Sequence, residues 1–161
     1  MAEIGIGLGS NIGDKAANIH RALALLTADG RVKLKKMSSL YRTLPWGYAE
    51  QDFFANACAL VETALSPMQL LDFAKQIETD MGREKTVHWG PRLIDIDLLF
   101  YGNEAMANPR LILPHKELFN RAFVLVPLAE IAPDLQIEGV SMAQAAAKIG
   151  KEGIEIWRET P

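Results

Sequence analysis

Near the start of the chain Ile4, Ile6 and Leu8 alternate with Gly5, Gly7 and Gly9, the period-two pattern of a β-strand with one apolar face and one face without side chains. Something can lie close against that bare face. A packed helix is the ordinary occupant, and a ligand approaching the backbone is the functional alternative. Ser10, Asn11, Gly13 and Asp14 form a polar turn, after which Ala16, Ile19, Leu23 and Leu26 recur at helical spacing as far as Gly30. Val32 to Arg42 has strand character, with Val32, Leu34 and Met37 apolar among lysines, and it leads into the turn-forming Pro45 and Gly47. Asn56 to Glu62 continues as a strand of mostly small and apolar residues.

Ser66 and Pro67 open the next helix, with Gln69 placed to reciprocate the serine cap, and Leu70, Ala74, Ile77 and Met81 line one face up to Gly82. Leu93 to Tyr101 is expected to be a strand. For Asn120 to Ala132, Pro127 predicts short helical turns rather than one unbroken helix. Ser141 with Gln144 repeats the capping pattern ahead of an alanine-rich helix ending at Gly150, and Ile154 to Trp157 predicts a last strand. Strands and helices that alternate with hairpin-like polar gaps predict an α+β sandwich, a mainly antiparallel sheet with helices packed against it.

Length and composition narrow the setting. A chain of 161 residues fits one domain, expected over residues 1–161, and can bury about two-thirds of its unfolded surface. No apolar run reaches the roughly 18 to 20 residues of a membrane span, and Met1 to Leu8 lacks the basic start and long apolar core of a signal peptide. Cys58, the single cysteine, excludes an intrachain disulfide and suits a strand interior. A reducing, cytoplasmic location is the expectation. The net charge of −3 gives no general attraction to nucleic acid or acidic membranes, so anion binding must come from local clusters.

The candidate chemistry begins with Asp95 and Asp97. Within Ile94 to Leu98 the strand period puts both carboxylates on one face and Ile94, Ile96 and Leu98 on the other. Two like charges roughly 7 Å apart repel by about 0.6 kcal/mol in water and about 2.4 kcal/mol at an effective dielectric of 20, so a solvated acidic face would also be tolerated. Paired hard oxygen ligands equally suit Mg²⁺, which completes its shell with water and substrate phosphates. Just upstream, Arg83 to Arg92 has neither helical nor strand periodicity and is expected to be a mobile loop rich in phosphate-binding groups. A second basic cluster, Arg110, His115, Lys116 and Arg121, interleaves with Pro109, Pro114 and Phe123. Histidine ligation of a metal is not expected, since no i, i+4 pair or Cys/His cluster occurs.

Gly9-Ser10-Asn11, Leu40-Tyr41-Arg42-Thr43, Phe54-Ala55-Asn56-Ala57, Arg83, the string Trp89-Gly90-Pro91-Arg92-Leu93-Ile94-Asp95-Ile96-Asp97, Leu113-Pro114-His115 and Asn120-Arg121-Ala122-Phe123 together resemble the 6-hydroxymethyl-7,8-dihydropterin pyrophosphokinase family. The similarity runs from about Ile4 to Pro133 in consistent order. It implies a ferredoxin-like α+β fold and transfer of pyrophosphate from ATP to the pterin hydroxymethyl group, with AMP released, in folate biosynthesis. It implies that Asp95 and Asp97 hold two Mg²⁺ ions and act in catalysis with Arg83 and Arg92. ATP would be bound by Glu78, Arg83, Arg92, Leu98, Arg110, Ile112, His115, Lys116 and Arg121. The pterin would be bound by Thr43, Leu44, Trp46, Phe54, Asn56, Trp89 and Phe123. The Arg83 to Arg92 loop is expected to close over both substrates and exclude water, and a monomer acting on small-molecule substrates, with no nucleic acid or membrane partner, is the expectation. Phe54 stands where the family usually has tyrosine, and Lys75 and Lys116 where polar uncharged residues occur. Two other readings of the same residues are a non-catalytic nucleotide- or RNA-binding ferredoxin-like module and a metal-dependent nucleotidyltransferase or phosphohydrolase.

Overall fold

The structure is a computed structural model that describes residues 2–43, 53–82 and 93–157. Its elements are β1 (Ala2–Ser10), α1 (Lys15–Thr27), β2 (Val32–Met37), β3 (Tyr41–Thr43), β4 (Phe54–Thr63), α2 (Pro67–Asp80), β5 (Asp95–Tyr101), β6 (Met106–Ala107), β7 (Ile112–Leu113), α3 (Ala122–Ile131), β8 (Gln136–Ile137), β9 (Val140–Ser141), α4 (Met142–Ile149) and β10 (Ile154–Ile156). Asp14 caps α1 through the amide of Ala17, and Ser66 and Ser141 start α2 and α4 with the reciprocal glutamine bonds that their spacing predicts.

The central sheet is antiparallel and runs β10, β3, β4, β1, β5, with β2 also on β4. The expected Val32–Arg42 strand is therefore two strands sharing one lane beside β4. Ser38 makes the joint: its amide donates to the Cys58 carbonyl, and its hydroxyl accepts from the Cys58 amide at 2.9 Å, replacing a backbone rung with a side chain. The hairpins β6–β7 and β8–β9 stand apart from the sheet.

Period two sorts the core into layers. Ile4, Ile6, Leu8, Ala57, Val61, Ile96 and Leu98 face α1 and α2, whose Ile19, Leu23, Leu70 and Ile77 complete the larger cluster. On the other face Cys58, Leu60, Leu99 and Phe100 pack against Val124, Leu125 and Leu128 of α3 and Met142 of α4. Burial pushes the Cys58 thiol well above its ordinary range, so it sits there as a small neutral group. A bulge in β5 against Gly5 and Ile6 inserts one residue, which lets the neighbours Leu99 and Phe100 both join the second cluster.

The expectation of short turns around Pro127 is corrected: α3 is one continuous helix with Pro127 inside it. Proline there removes a single ladder bond, to the carbonyl four residues back, and the helix is buried between sheet and α4, so packing outweighs the loss.

Candidate active site

The helices cover only part of the second face. Where β1, β3, β4 and β5 run past α3, the sheet becomes the floor of a cleft of about 890 Å³, lined by Gly7, Gly9, Thr43, Phe54, Asn56, Asp95 and Asp97. The question posed by the glycine face is answered differently along one strand. A Cβ at Gly5 would overlap the Phe100 ring, so that glycine exists for packing. Gly7 and Gly9 open on the cleft, and they pair in register with Asp97 and Asp95. The two half-buried carboxylates thus stand beside two glycines that line the cleft, with the Leu99 side chain against Gly7 and the Asn56 side chain against Gly9.

Glu78 fixes the backbone between them. It is 1% exposed, reaches from α2, accepts the Ile96 amide at 2.7 Å, and lies 3.3 Å from the Lys75 ammonium. A carboxylate accepting from the strand edge locks the segment that carries both aspartates. Lys75, one of the departures from the family pattern, thereby neutralises Glu78 from the exposed side of the helix.

Across the floor, Asn56 donates from Nδ2 to Thr43 Oγ1, and that hydroxyl donates to the Phe54 carbonyl at 3.3 Å. The chain of bonds sets the Asn56 amide with its oxygen beside Gly9, 3.0 Å from where a Cβ would stand there. Alanine in place of Gly9 would crowd this acceptor.

One wall comes from the start of α3. Asn120, Arg121, Ala122 and Phe123 line the cleft, the Arg121 guanidinium lies 5.4 Å from the Phe123 ring centroid, and no side chain caps the helix at Arg121. The positive helix end and the arginine therefore point the same sign of charge into the cleft. His115 is anchored by its amide to the Leu99 carbonyl, and its Nδ1 accepts from the Glu117 amide at 3.1 Å, which leaves the proton on Nε2. Burial lowers the imidazole pKa below its ordinary value, opposed by Asp97 and aided by Arg121, so the ring is a neutral donor at physiological pH.

The remaining expected ATP residues are spread out. Ile112, His115 and Lys116 line a separate groove of about 450 Å³ beside the β6–β7 hairpin. Arg110 is held at 2.5 Å by Asp72 on α2. The Leu98 side chain is packed in the first core, so only its backbone is available to a ligand. Leu44, Trp46, Arg83, Trp89 and Arg92 lie outside the described residues. Among the described residues no group of three or more metal-binding side chains is gathered.

Sequence reasoning missed a further wall: Ile149, Glu152, Gly153 and Ile154 also line the cleft. Only the apolar alternation before Trp157 hinted at an element there, and nothing local tied it to Asn56 or Asp97.

The family model for 7,8-dihydro-6-hydroxymethylpterin-pyrophosphokinase matches residues 5–133. This chain belongs to that family. It is 48% identical over 155 residues to the 2-amino-4-hydroxy-6-hydroxymethyldihydropteridine pyrophosphokinase of Methylorubrum extorquens, covering 96% of this chain and 98% of the relative. With the enzyme of the same name from Bacillus subtilis it shares 40% over 154 residues, 96% of this chain and 89% of the relative. A crystal structure of Plasmodium falciparum HPPK-DHPS with pteroate superposes with a TM-score of 0.72 at 16% identity, over 91% of this chain and 42% of that longer one. The fold is the ferredoxin-like α+β arrangement of the pyrophosphokinases. Every expected site residue falls inside the matched segment, whereas the wall from Ile149 to Ile154 falls beyond it.

Proposed function

We propose that the cleft over β1, β4 and β5 is where this pyrophosphokinase passes pyrophosphate from ATP to the hydroxymethyl group of 6-hydroxymethyl-7,8-dihydropterin, releasing AMP. The observation that carries it is the floor itself: Asp95 and Asp97 beside the bare Gly9 and Gly7, with Asn56 on the same surface. Asn56 presents its amide oxygen to the N–H edge of the pterin, and Phe54 and Phe123 offer ring faces to the flat heterocycle. Arg121 and the uncapped start of α3 take phosphate oxygens, and His115, in the adjoining groove, offers its Nε2–H to the part of ATP that extends there, donating without carrying charge. Arg83, Arg92 and Trp89 are assigned to the same reaction through the family motif.

The donor set of two carboxylates on a rigid strand, with phosphates to complete the shell, fits two Mg²⁺ ions shared between Asp95 and Asp97. Bound there, magnesium supplies neutralisation of phosphate charge and a lower pKa for the attacking hydroxyl. Glu78 contributes by holding the Ile96 amide, and thus the spacing of both aspartates, unchanged through turnover. The chemistry asks for alignment and charge stabilisation, and the described residues supply both without a dedicated side-chain base. The single cysteine, Cys58, buried and without a disulfide, suits a reducing, cytoplasmic location. No described helix is long and apolar enough to cross a membrane.

Incubation with ATP, Mg²⁺ and the reduced hydroxymethylpterin should release AMP only when pterin is present. ADP formation, or hydrolysis that ignores the pterin, would overturn the assignment. The RNA-binding and nucleotidyltransferase readings have no support from the family match over residues 5–133.

A further inference from the structure

We propose that the segment from Ile149 to Trp157 belongs to the pterin-binding apparatus, with Trp157 as a positioning residue that acts through Phe53; this rests on assigning the cleft floor to the pterin. The family match stops at residue 133, but the cleft does not. Ile149 and Ile154 add apolar surface to it, and at Gly153, where φ is +79°, a Cβ would meet no atom within 4 Å. Gly153 lines the cleft and no protein atom blocks its Cβ direction, so a ligand ring can approach its backbone there.

The segment also grips the floor from behind. Ile154 pairs with Thr43, the residue that orients Asn56, and without β10 the three-residue β3 would be a frayed edge. The Trp157 amide donates to the Leu40 carbonyl at 2.8 Å, and its ring meets Phe53 edge-on with centroids 5.1 Å apart. The Phe53 ring is held further by the Lys15 ammonium at 4.3 Å and by the Arg42 guanidinium at 5.4 Å, which is tied in turn to Glu155 at 2.7 Å. Phe53 immediately precedes Phe54, and neighbours in extended chain point to opposite sides. Holding Phe53 on the side of α1 therefore holds Phe54 in the cleft. Trp157 touches no substrate; it sets the aim of a ring that does.

The inference separates the two substrates, which steady-state kinetics reads directly. Trp157→Ala should raise KM for the pterin about tenfold, leave KM for ATP within about twofold, and be largely restored by Trp157→Phe. Arg42→Gln, an exposed change that spares the fold, should raise the pterin KM about threefold by the same route. A parallel rise in both constants, no change in either, or failure of Trp157→Phe to restore the pterin KM would overturn the proposal. Should Trp157→Ala not fold, an unmoved pterin KM in Arg42→Gln overturns it equally. If the wild type shows no pterin-dependent AMP release, the cleft assignment falls and this inference with it; an active wild type with an unmoved Trp157→Ala sinks this inference alone.

Discussion

The same three strands, β1, β4 and β5, build two unlike halves of one sheet face. In the packed half Gly5 lies under Phe100, and Cys58, Leu60 and Leu99 meet α3 and α4. In the open half Gly7 and Gly9 lie beside Asp97 and Asp95, with Asn56 across the floor. Backbone pairing runs antiparallel through both, so the change from core to cleft is made by side chains and by one bulge. Above the bulge β5 presents carboxylates, and below it the inserted residue brings Leu99 and Phe100 to the same side. Stability and chemistry are thus separable along a strand of seven residues.

That separation can be broken residue by residue. Asp97→Ala should have the largest effect, a fall in kcat of about 10³-fold with a melting temperature within about 2 °C of wild type, because the half-buried carboxylate contributes little to packing. Near-normal turnover in magnesium from a folded variant would remove the metal assignment. Phe100→Ala is the converse test: a loss of about 3–5 kcal/mol in denaturant unfolding, with the KM values of the surviving folded enzyme unchanged. Substrate constants that moved with it would show that the two halves are not independent.

Glu78→Gln probes the joint between them. The amide oxygen can still accept from Ile96, but the charge that strengthens the bond and faces Lys75 is gone, so kcat should fall about tenfold with a smaller loss of stability, about 1 kcal/mol. A purely structural Glu78 would lose stability and keep kcat. The smallest expected effect concerns Glu130, which ties α3 to β3 in the packed half. Burial alone would raise its pKa, but donors from Ser39 and Tyr41 outweigh that and hold the carboxyl below its ordinary value. A depressed folded pKa contributes stability above the ordinary carboxylate range and loses it as pH falls through the folded value. Glu130→Gln should therefore melt slightly lower than wild type near neutrality, and the gap should close in acid. A gap independent of pH would point to packing alone.

How much of this was readable in the chain depends on the range of the forces involved. Caps and periods are local, so α2 with Ser66 and Gln69, and the shared face of Asp95 and Asp97, were legible at once. Pro127 misled because its local cost is overridden by burial of α3 on both sides, a fact of tertiary packing. The bulge at Leu99 exists only in relation to β1, and Glu78 meets Ile96 across 18 positions of chain. The wall at Ile149 to Ile154 was the least legible, since it reaches the cleft only when β10 finds β3. Family motifs located the polar half of the site and said nothing of that wall.

Strand β2 carries a consequence of another kind. It shares the outer lane of β4 with β3, but where β3 is covered by β10, β2 has no described partner on its far side, and Leu34 is 45% exposed there. Bare strand edges of that sort recruit other chains into growing sheets. Lys33, Lys35 and Lys36, together with the register shift between Leu34 and Lys36, make this border bristle with like charge and break its line. The margin of the sheet across from Asp95 is thereby a poor template for an added strand, although its edge is open.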